Sequence, residues 1–523
     1  MSPAVASFLD VLLRGIALCA QATAVGGVVF ALWVLGDDEG LGFSRRRRAL
    51  VLVAAGAGVL AAIQALLLAL QLHTLAEGGP WPAAQAFATP YFRAGAIRCV
   101  AASALALVAT AGRRGPRTAG RVALLGLCLA LAVSSAAISH AAGRLEHRGL
   151  LLLLDAIHQA AGAVWLGGLV HLIGAAFRRG ACPWPASAIR RFSAVATVAV
   201  VVLVGAGAGL SAFYVGSVGG LIGTSYGAMV LTKVVLLGGL LALGSVNFLA
   251  VRRLDATGLV SLARVRWFIE VEMGLGLTVL FASASLTSLP PAIDIVADRA
   301  TAAEVTTRFT PRWPTFTSPA LADMPIDDRE APRTAADRAW SEYNHHMAGL
   351  IVLVMGLLAT ANALAGAEWA RHWPLVFLAL AAFIVVRADP GAWPLAGVGF
   401  WESMRFPEVL QHRIFALLVI LFGVFEWLVR TGRLRRPVYP FVFPLLCSVG
   451  GALLLTHSHA LLDLKSEFLT EITHIPLGLL GLLVGWARWL ELRLPAREAR
   501  VPRRIWAAGI TLAGLLLLIY RES

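Results

Sequence analysis

Charged residues are scarce in this sequence: Asp, Glu, Lys and Arg make up only 14% of its 523 positions. A water-soluble globular chain carries about 25% charged residues. Hydrophobic residues reach 58% and the mean hydropathy is +0.77. This composition excludes a soluble enzyme and a disordered chain, and it is typical of a polytopic membrane protein.

Cysteine is also scarce, with five scattered positions and no CxxC pair. Neither a disulfide framework nor a thiolate metal site is therefore indicated. The first apolar run, 8–35, is long enough to span a bilayer and has no basic segment before it, so no cleavable signal peptide is expected. The formal net charge is +14. Most basic residues lie in short loops between apolar runs, so we expect a lipid bilayer around the protein and no nucleic-acid partner.

The apolar runs predict an all-α protein, a membrane helical bundle of about fourteen transmembrane helices. The expected spans are 8–35, 49–75, 93–111, 121–142, 150–177, 193–213, 227–251, 264–289, 346–364, 373–388, 412–429, 438–456, 472–490 and 504–520. A segment rich in Pro, Thr and Asp separates the first eight spans from the last six. We therefore predict an eight-helix membrane domain at 1–289, an external connector at 290–344, and a six-helix domain at 345–523.

Arginine clusters mark alternate loops of this topology. The clusters begin at Arg45, Arg113, Arg178, Arg252, Arg430 and Arg488. In the fourteen-span arrangement all of them fall on one side of the membrane, which the positive-inside rule assigns to the cytoplasm. We therefore expect a multi-pass protein of the bacterial cytoplasmic (inner) membrane with both termini outside.

Histidines concentrate on the opposite, outer side of the predicted membrane. Ten of the twelve are expected there: His73, His140, His147, His158, His345, His346, His412, His457, His459 and His474. Neutral imidazole is the commonest protein metal ligand, and copper and zinc both accept it. All of these except His147, which lies in a polar loop, are candidate metal ligands.

In the second half, acidic residues precede histidines at helical spacing, so that each pair shares a helix face. The pairs are Glu342 with His345 and His346, Glu408 with His412, and Glu471 with His474. His457 and His459 add an H-x-H, and Met347 adds a soft sulfur ligand that favours Cu(I). The sequence predicts that these outer helix ends converge on a metal. Solvated helix caps would have the same spacing.

In the first half, His158 is placed in hydrocarbon one turn after Asp155. Ionisable groups at that depth usually face the bundle interior and mark a pathway or a site. Further charged residues within predicted spans include Arg98, Lys233, Glu270 and Glu272. They could serve a cation path through the eight-helix half, or they could form structural ion pairs.

A haem site is the weaker cofactor hypothesis. His158 and His171 are thirteen residues apart, about 20 Å along one helix, which suits two haems stacked across a membrane. Such a pair needs a second helix with matching histidines, and no other helix has them. A single outer haem on His158 and another imidazole stays an alternative.

Four segments of the first half resemble the copper resistance protein D (CopD) family of membrane proteins. The segments are DAIHQAAGAVWLGGL at 155–169, RRFSAVA at 190–196, TSYGAMVLTKVVLLGGLLALGSVN at 224–247, and EVEMGLGLTVLFASASLTSLPP at 270–291. The resemblance is firm over about 150–290, and the C-terminal half does not match this family unit. It implies copper movement across the inner membrane, usually inward, often with a periplasmic CopC-like copper chaperone. The positions of this chain that match residues of the family pattern are His158, Trp165, Lys233, Asn247 and Glu270 or Glu272.

Three functions are compatible with these observations. The first is copper uptake, in which outer His, Met and Glu side chains capture Cu(I) or Cu(II) and pass it inward past Glu270 and Glu272. The second is a metal- or haem-dependent redox protein with its centre at the outer surface. The third is a copper-binding chaperone or assembly factor that transports nothing. The first is our leading hypothesis, and it treats the protein as a transporter without catalytic residues.

Overall fold

The computed structural model describes residues 3–35, 41–77, 83–112, 118–176, 186–252, 263–324, 334–456 and 464–522. Helices dominate these residues, and no strand occurs within them. The chain divides into two compact units, Met1–Arg299 with Thr456–Leu464, and Ala300–Leu455 with Lys465–Ser523.

The described residues of the first unit form eight long helices. They are α1 (Pro3–Val29), α2 (Leu41–Glu77), α3 (Pro90–Ala111), α4 (Thr118–Ala136), α5 (Arg148–Ala176), α6 (Ala186–Val215), α7 (Ser225–Arg252) and α8 (Ala263–Leu286). A π-helical turn, Phe30–Val34, extends α1. Short helices at Ala83–Ala88, His140–Gly143 and Val218–Ile222 lie between the long ones.

Six more long helices occur in the described part of the second unit. They are α9 (Ala335–Ala365), α10 (Val376–Arg387), α11 (Pro407–Arg430), α12 (Val442–Thr456, whose last residue groups with the first unit), α13 (Ile475–Arg493) and α14 (Arg500–Leu518). A 3₁₀ turn, Glu368–Leu375, leads into α10, and a short helix, Leu464–Glu471, precedes α13. In the described ranges fourteen helical segments are long and apolar enough to cross a membrane, so the predicted all-α membrane bundle is confirmed.

The fourth and ninth spans differ from their predicted limits. α4 stops at Ala136, so the expected helix at 121–142 is too long. The chain turns there, and the Ser139 hydroxyl accepts a hydrogen bond from the Ala141 amide to start the short helix that carries His140. α9 begins at Ala335 rather than near residue 346, because Thr334 and Asp337 form a capping box. Its histidines therefore lie three turns inside the helix.

Helix α1 packs against α2, α5 and α8 in the first unit, and small residues permit its closest contact. Gly26 of α1 faces Gly167 of α5, and a Cβ atom on Gly167 would lie 1.8 Å from the carbonyl oxygen of Ala22. Helices in lipid associate through such small residues, because no hydrophobic force distinguishes a neighbouring helix from an acyl chain.

This contact leads to a stability prediction. Gly167→Val should destabilise the protein by about 3 kcal/mol, the upper end for overpacking, because the clash is with backbone rather than with a movable side chain. Gly205→Val on α6 is the matched control, since a Cβ there meets nothing within 4 Å. Thermal unfolding in detergent measures both variants. Equal melting temperatures for the two would refute this account of the α1–α5 contact.

In the second unit, α9 and α14 pack closely over most of their length. A Cβ atom on Gly349 would lie 2.3 Å from the Leu518 amide nitrogen, and one on Gly514 would lie 2.3 Å from that of Leu353. The residues that follow α14 are thereby held beside the N-terminal turns of α9. This packing positions Tyr520 and Glu522 next to the histidines of α9.

Candidate functional site

A chain of buried and half-buried polar side chains crosses four helices of the first unit. Arg98 on α3 donates to Gln21 Oε1 on α1 at 2.7 Å and to Ser135 Oγ on α4 at 2.9 Å. The Ser135 hydroxyl bonds Gln159 Oε1 on α5, and Gln159 Nε2 donates to Asp155 Oδ2 at 3.0 Å. The carboxylate of Asp155 is thus linked to a guanidinium through neutral side chains, as a charge inside a bilayer requires.

His158 lies one turn beyond Asp155 on α5 and is half-buried. Its Nδ1 lies 3.0 Å from the carbonyl oxygen of Leu203 on α6. A carbonyl only accepts, so Nδ1 carries the proton and Nε2 keeps its lone pair. Gly207 on α6 makes room for the ring, because a Cβ there would lie 2.9 Å from His158 Cε1. Lys233 on α7 interacts electrostatically with both His158 and Asp155.

A second polar group lies further along the same helix bundle, around Glu272 on α8. Trp165 Nε1 on α5 donates to Glu272 Oε1 at 3.2 Å, and Asn247 Nδ2 on α7 donates to Oε2 at 3.0 Å. The carboxylate is buried with two uncharged donors, whereas Glu270 forms an ion pair with Arg266 at 3.1 Å. Glu272 is the residue of the two that is available for a cation.

A cavity of about 300 Å³ borders this group within the first unit. Its polar lining includes Trp165, Asn247, Glu272 and Arg266. Side chains such as Leu240 and Phe192 make most of the remainder apolar. Asn247 Oδ1 is buried and has no hydrogen-bond partner in the described structure. An oxygen ligand and a carboxylate therefore lie together at the edge of an open volume.

His140 and His73 are the two other predicted ligands of the first unit, and His140 interacts electrostatically with Asp155. His140 lies on the short helix after α4, with Nε2 3.4 Å from the Leu286 carbonyl oxygen and its ring beside Tyr214 and Tyr226. Burial is the main cause that lowers the pKa of His140, so the imidazole is neutral at pH 7. His73 is exposed near the end of α2.

Two predicted ligands of the second unit are occupied by protein partners. His346 is fully buried, its Nδ1 accepts from the Thr315 amide at 3.0 Å, and its Nε2 donates to the Tyr520 carbonyl at 2.9 Å. Glu342 accepts from Arg312 at 2.8 Å and from the Glu522 amide at 3.0 Å. Both side chains fasten neighbouring segments to α9 in this structure.

The other predicted ligands of this half are placed as follows. His412 donates to Asp389 at 2.8 Å and is half-exposed. His345 and His474 approach each other, with ring centroids 6.0 Å apart. Met347 is half-buried on α9, and Glu471 ends the short helix before α13. Glu408 lies on α11 with its side chain outside the described set, and His457 and His459 lie outside the described residues. Within the described ranges no group of three or more His, Cys, Asp and Glu could hold a metal ion.

Ser135 and Gln159 belong to the polar chain but were not among the residues predicted from the sequence. The available signal was Asp155 and Gln159 at i and i+4 within an apolar helix, which places both on one face. Trp165 and Asn247 were predicted only from the CopD resemblance. Nothing in the spacing indicates that these two side chains converge on Glu272.

The fold and these polar groups define a multi-pass helical membrane protein with ionisable side chains inside its first unit. Residues 186–286, which are α6 to α8, match the family model described as copper resistance protein D (CopD). The CopD resemblance is thereby confirmed over this segment. The matched segment includes Leu203 and Gly207, which contact His158, and it also includes Glu272.

One curated relative gives a broader comparison. The chain is 31% identical over 299 residues to the copper transport protein CutJ of Bacillus subtilis (strain 168). The aligned region covers 53% of this chain and 52% of that protein. The chain thus spans about half the length of this relative. No solved structure matches the chain significantly.

Proposed function

We propose that this protein transports copper across the bacterial cytoplasmic membrane, from the outside inward. The observation that carries the proposal is the CopD match over α6–α8, the helices that contact His158 and hold Glu272. The relative named as a copper transport protein supports the same substrate. The metal is the cargo of this protein, and no catalytic residue is required.

The proposed route uses two groups on one face of α5. His158 and Trp165 are seven residues apart, which is about two turns or about 10 Å along the helix. The free Nε2 of His158 receives the ion, and the Glu272 carboxylate beside Trp165 holds it next. Imidazole suits copper in either oxidation state, and a carboxylate compensates the positive charge in hydrocarbon.

The orientation follows from the arginine clusters and remains part of the proposal. With those clusters in the cytoplasm, both termini lie outside and His158 lies toward the outer face. Copper reaches this face from the periplasm, where a CopC-like chaperone is the proposed donor. In this scheme, outer histidines of the second unit bind copper before it is passed inward.

Copper accumulation by cells tests the proposed function. A bacterial strain that expresses the full chain should contain more copper than the vector control when copper is supplied, with zinc unchanged. Elemental analysis of washed cells measures both metals, and membrane fractions verify insertion of the protein. Unaltered copper content in cells that carry the inserted protein would refute uptake.

A further inference from the structure

We infer that His345 and His474 form a binding site for a single Cu(I) ion in the second unit. The identity of the metal rests on the proposed function, but the site is defined by its own geometry. It involves neither His158 nor Glu272. Binding at this site can therefore be measured whether or not the first unit transports copper.

The two imidazoles come from separate parts of the second unit. His345 lies on α9, and His474 is the residue directly before α13. Their ring centroids are 6.0 Å apart and the ring planes differ by 65°. Both side chains are half-buried. Tertiary packing thus brings together two neutral ligands that are 129 positions apart in the sequence.

Both rings have the protonation pattern of a metal-ligating histidine. His345 Nδ1 lies 2.8 Å from the carbonyl oxygen of Ser341, and His474 Nδ1 lies 2.9 Å from that of Thr470. Each Nδ1 must therefore carry the proton, which leaves the lone pair on each Nε2. A ligating histidine typically donates its other nitrogen to a backbone carbonyl in this way, which fixes the tautomer and the ring orientation.

The separation of the rings suits one bridging ion. A metal bound to two imidazole nitrogens at about 2 Å each, with the bonds collinear, places the ring centres about 6 Å apart. The observed 6.0 Å agrees with that spacing.

A site of two imidazoles suits Cu(I), in agreement with the proposed function. Structural zinc takes four protein ligands, and calcium and magnesium take oxygen ligands. Among the described residues no third His, Cys, Asp or Glu completes a larger group here. Copper(I) forms stable linear complexes with two ligands, whereas Cu(II) prefers a tetragonal set.

A supporting network holds His345 in place. The Tyr520 ring stacks on it with centroids 4.0 Å apart. The Tyr520 hydroxyl and the Ser341 hydroxyl both donate to Glu522 Oε2 at 2.8 Å. Burial raises the pKa of Tyr520, so the phenol keeps its proton and remains a donor. The Glu522 carboxylate is buried, and it places a negative charge near the proposed cation.

Cu(I) binding by the purified full-length protein tests the inference. The protein is titrated with Cu(I) alone, under anaerobic reducing conditions, against a chromogenic Cu(I) chelator. We expect His345→Gln and His474→Gln each to weaken the tightest binding by about 10- to 100-fold. His372→Gln is the matched control, because His372 belongs to no proposed ligand set, its ring accepts a hydrogen bond from Trp427 at 2.9 Å, and its loss should leave binding unchanged.

A second pair of variants guards against misfolding. His345→Met and His474→Met replace imidazole by a thioether that also binds Cu(I), so they should retain binding that the Gln variants lose. X-ray absorption should report two nitrogen ligands in the wild type. Undiminished Cu(I) affinity in His345→Gln and His474→Gln, or equal losses in the Met and Gln variants, would overturn the site. Absence of transport with this binding intact would refute the proposed function alone.

Discussion

Replacing His158 by Gln should reduce copper accumulation by about 10- to 100-fold, the range seen when metal-site residues are removed. The structure gives the reason: the Leu203 carbonyl fixes the proton on Nδ1, so His158 has a free nitrogen within the spanning helices of the first unit. The Gln amide can still donate to that carbonyl, but it provides no imidazole nitrogen. Initial uptake rates in cells measure the change.

The control for this prediction is His147→Asn. His147 is exposed in the loop before α5 and has a left-handed backbone with φ of 53°, which Asn tolerates. Its copper accumulation should equal that of the wild type. If His158→Gln is inserted at normal levels and accumulates copper as fast as the control, His158 has no part in the route.

Replacing Glu272 by Gln should slow transport by about tenfold or more while the fold is retained. A unit charge about 4 Å from a cation contributes about 4 kcal/mol at an effective dielectric constant of about 20, so loss of the carboxylate charge weakens any cation site there. The change isolates charge from hydrogen bonding. Trp165 can still donate to the Gln oxygen, and the unpartnered Asn247 Oδ1 can turn to accept from the Gln amide.

For Glu272→Gln, the melting temperature is measured together with the transport rate, because the prediction concerns both quantities. We expect a melting temperature equal to or above that of the wild type, because an unpaired buried charge is removed. Slow transport with normal stability supports Glu272 as part of the cation route. Normal transport would limit Glu272 to a structural role with Trp165 and Asn247.

Much of the fold could be predicted from apolar length alone. Lipid offers no hydrogen bonds, so each apolar run must satisfy its backbone internally as a helix. Local hydrogen bonds decide the details that length does not. The capping box of Thr334 and Asp337 starts α9 early, and the turn after Ala136 separates His140 from α4. Those contacts depend on single side chains, which a hydropathy profile averages out.

The candidate site was less predictable, because helical spacing constrains only neighbours on one helix. Glu342 and His346 share a face as expected, yet Arg312 and Thr315 occupy them from another segment. His345 and His474 are paired by packing between distant helices, which no local pattern records. The CopD resemblance supplied Trp165 and Asn247, whereas their bonds to Glu272 required coordinates.

Copper entry into sealed vesicles tests transport most directly. The purified full-length protein is reconstituted into liposomes that contain a trapped Cu(I)-specific chelator, and the signal after addition of external Cu(I) is followed. We predict protein-dependent entry that falls in His158→Gln and in Glu272→Gln and persists in His147→Asn. Entry at the rate of protein-free liposomes, with the protein verified as inserted in both orientations, would contradict copper transport by this chain.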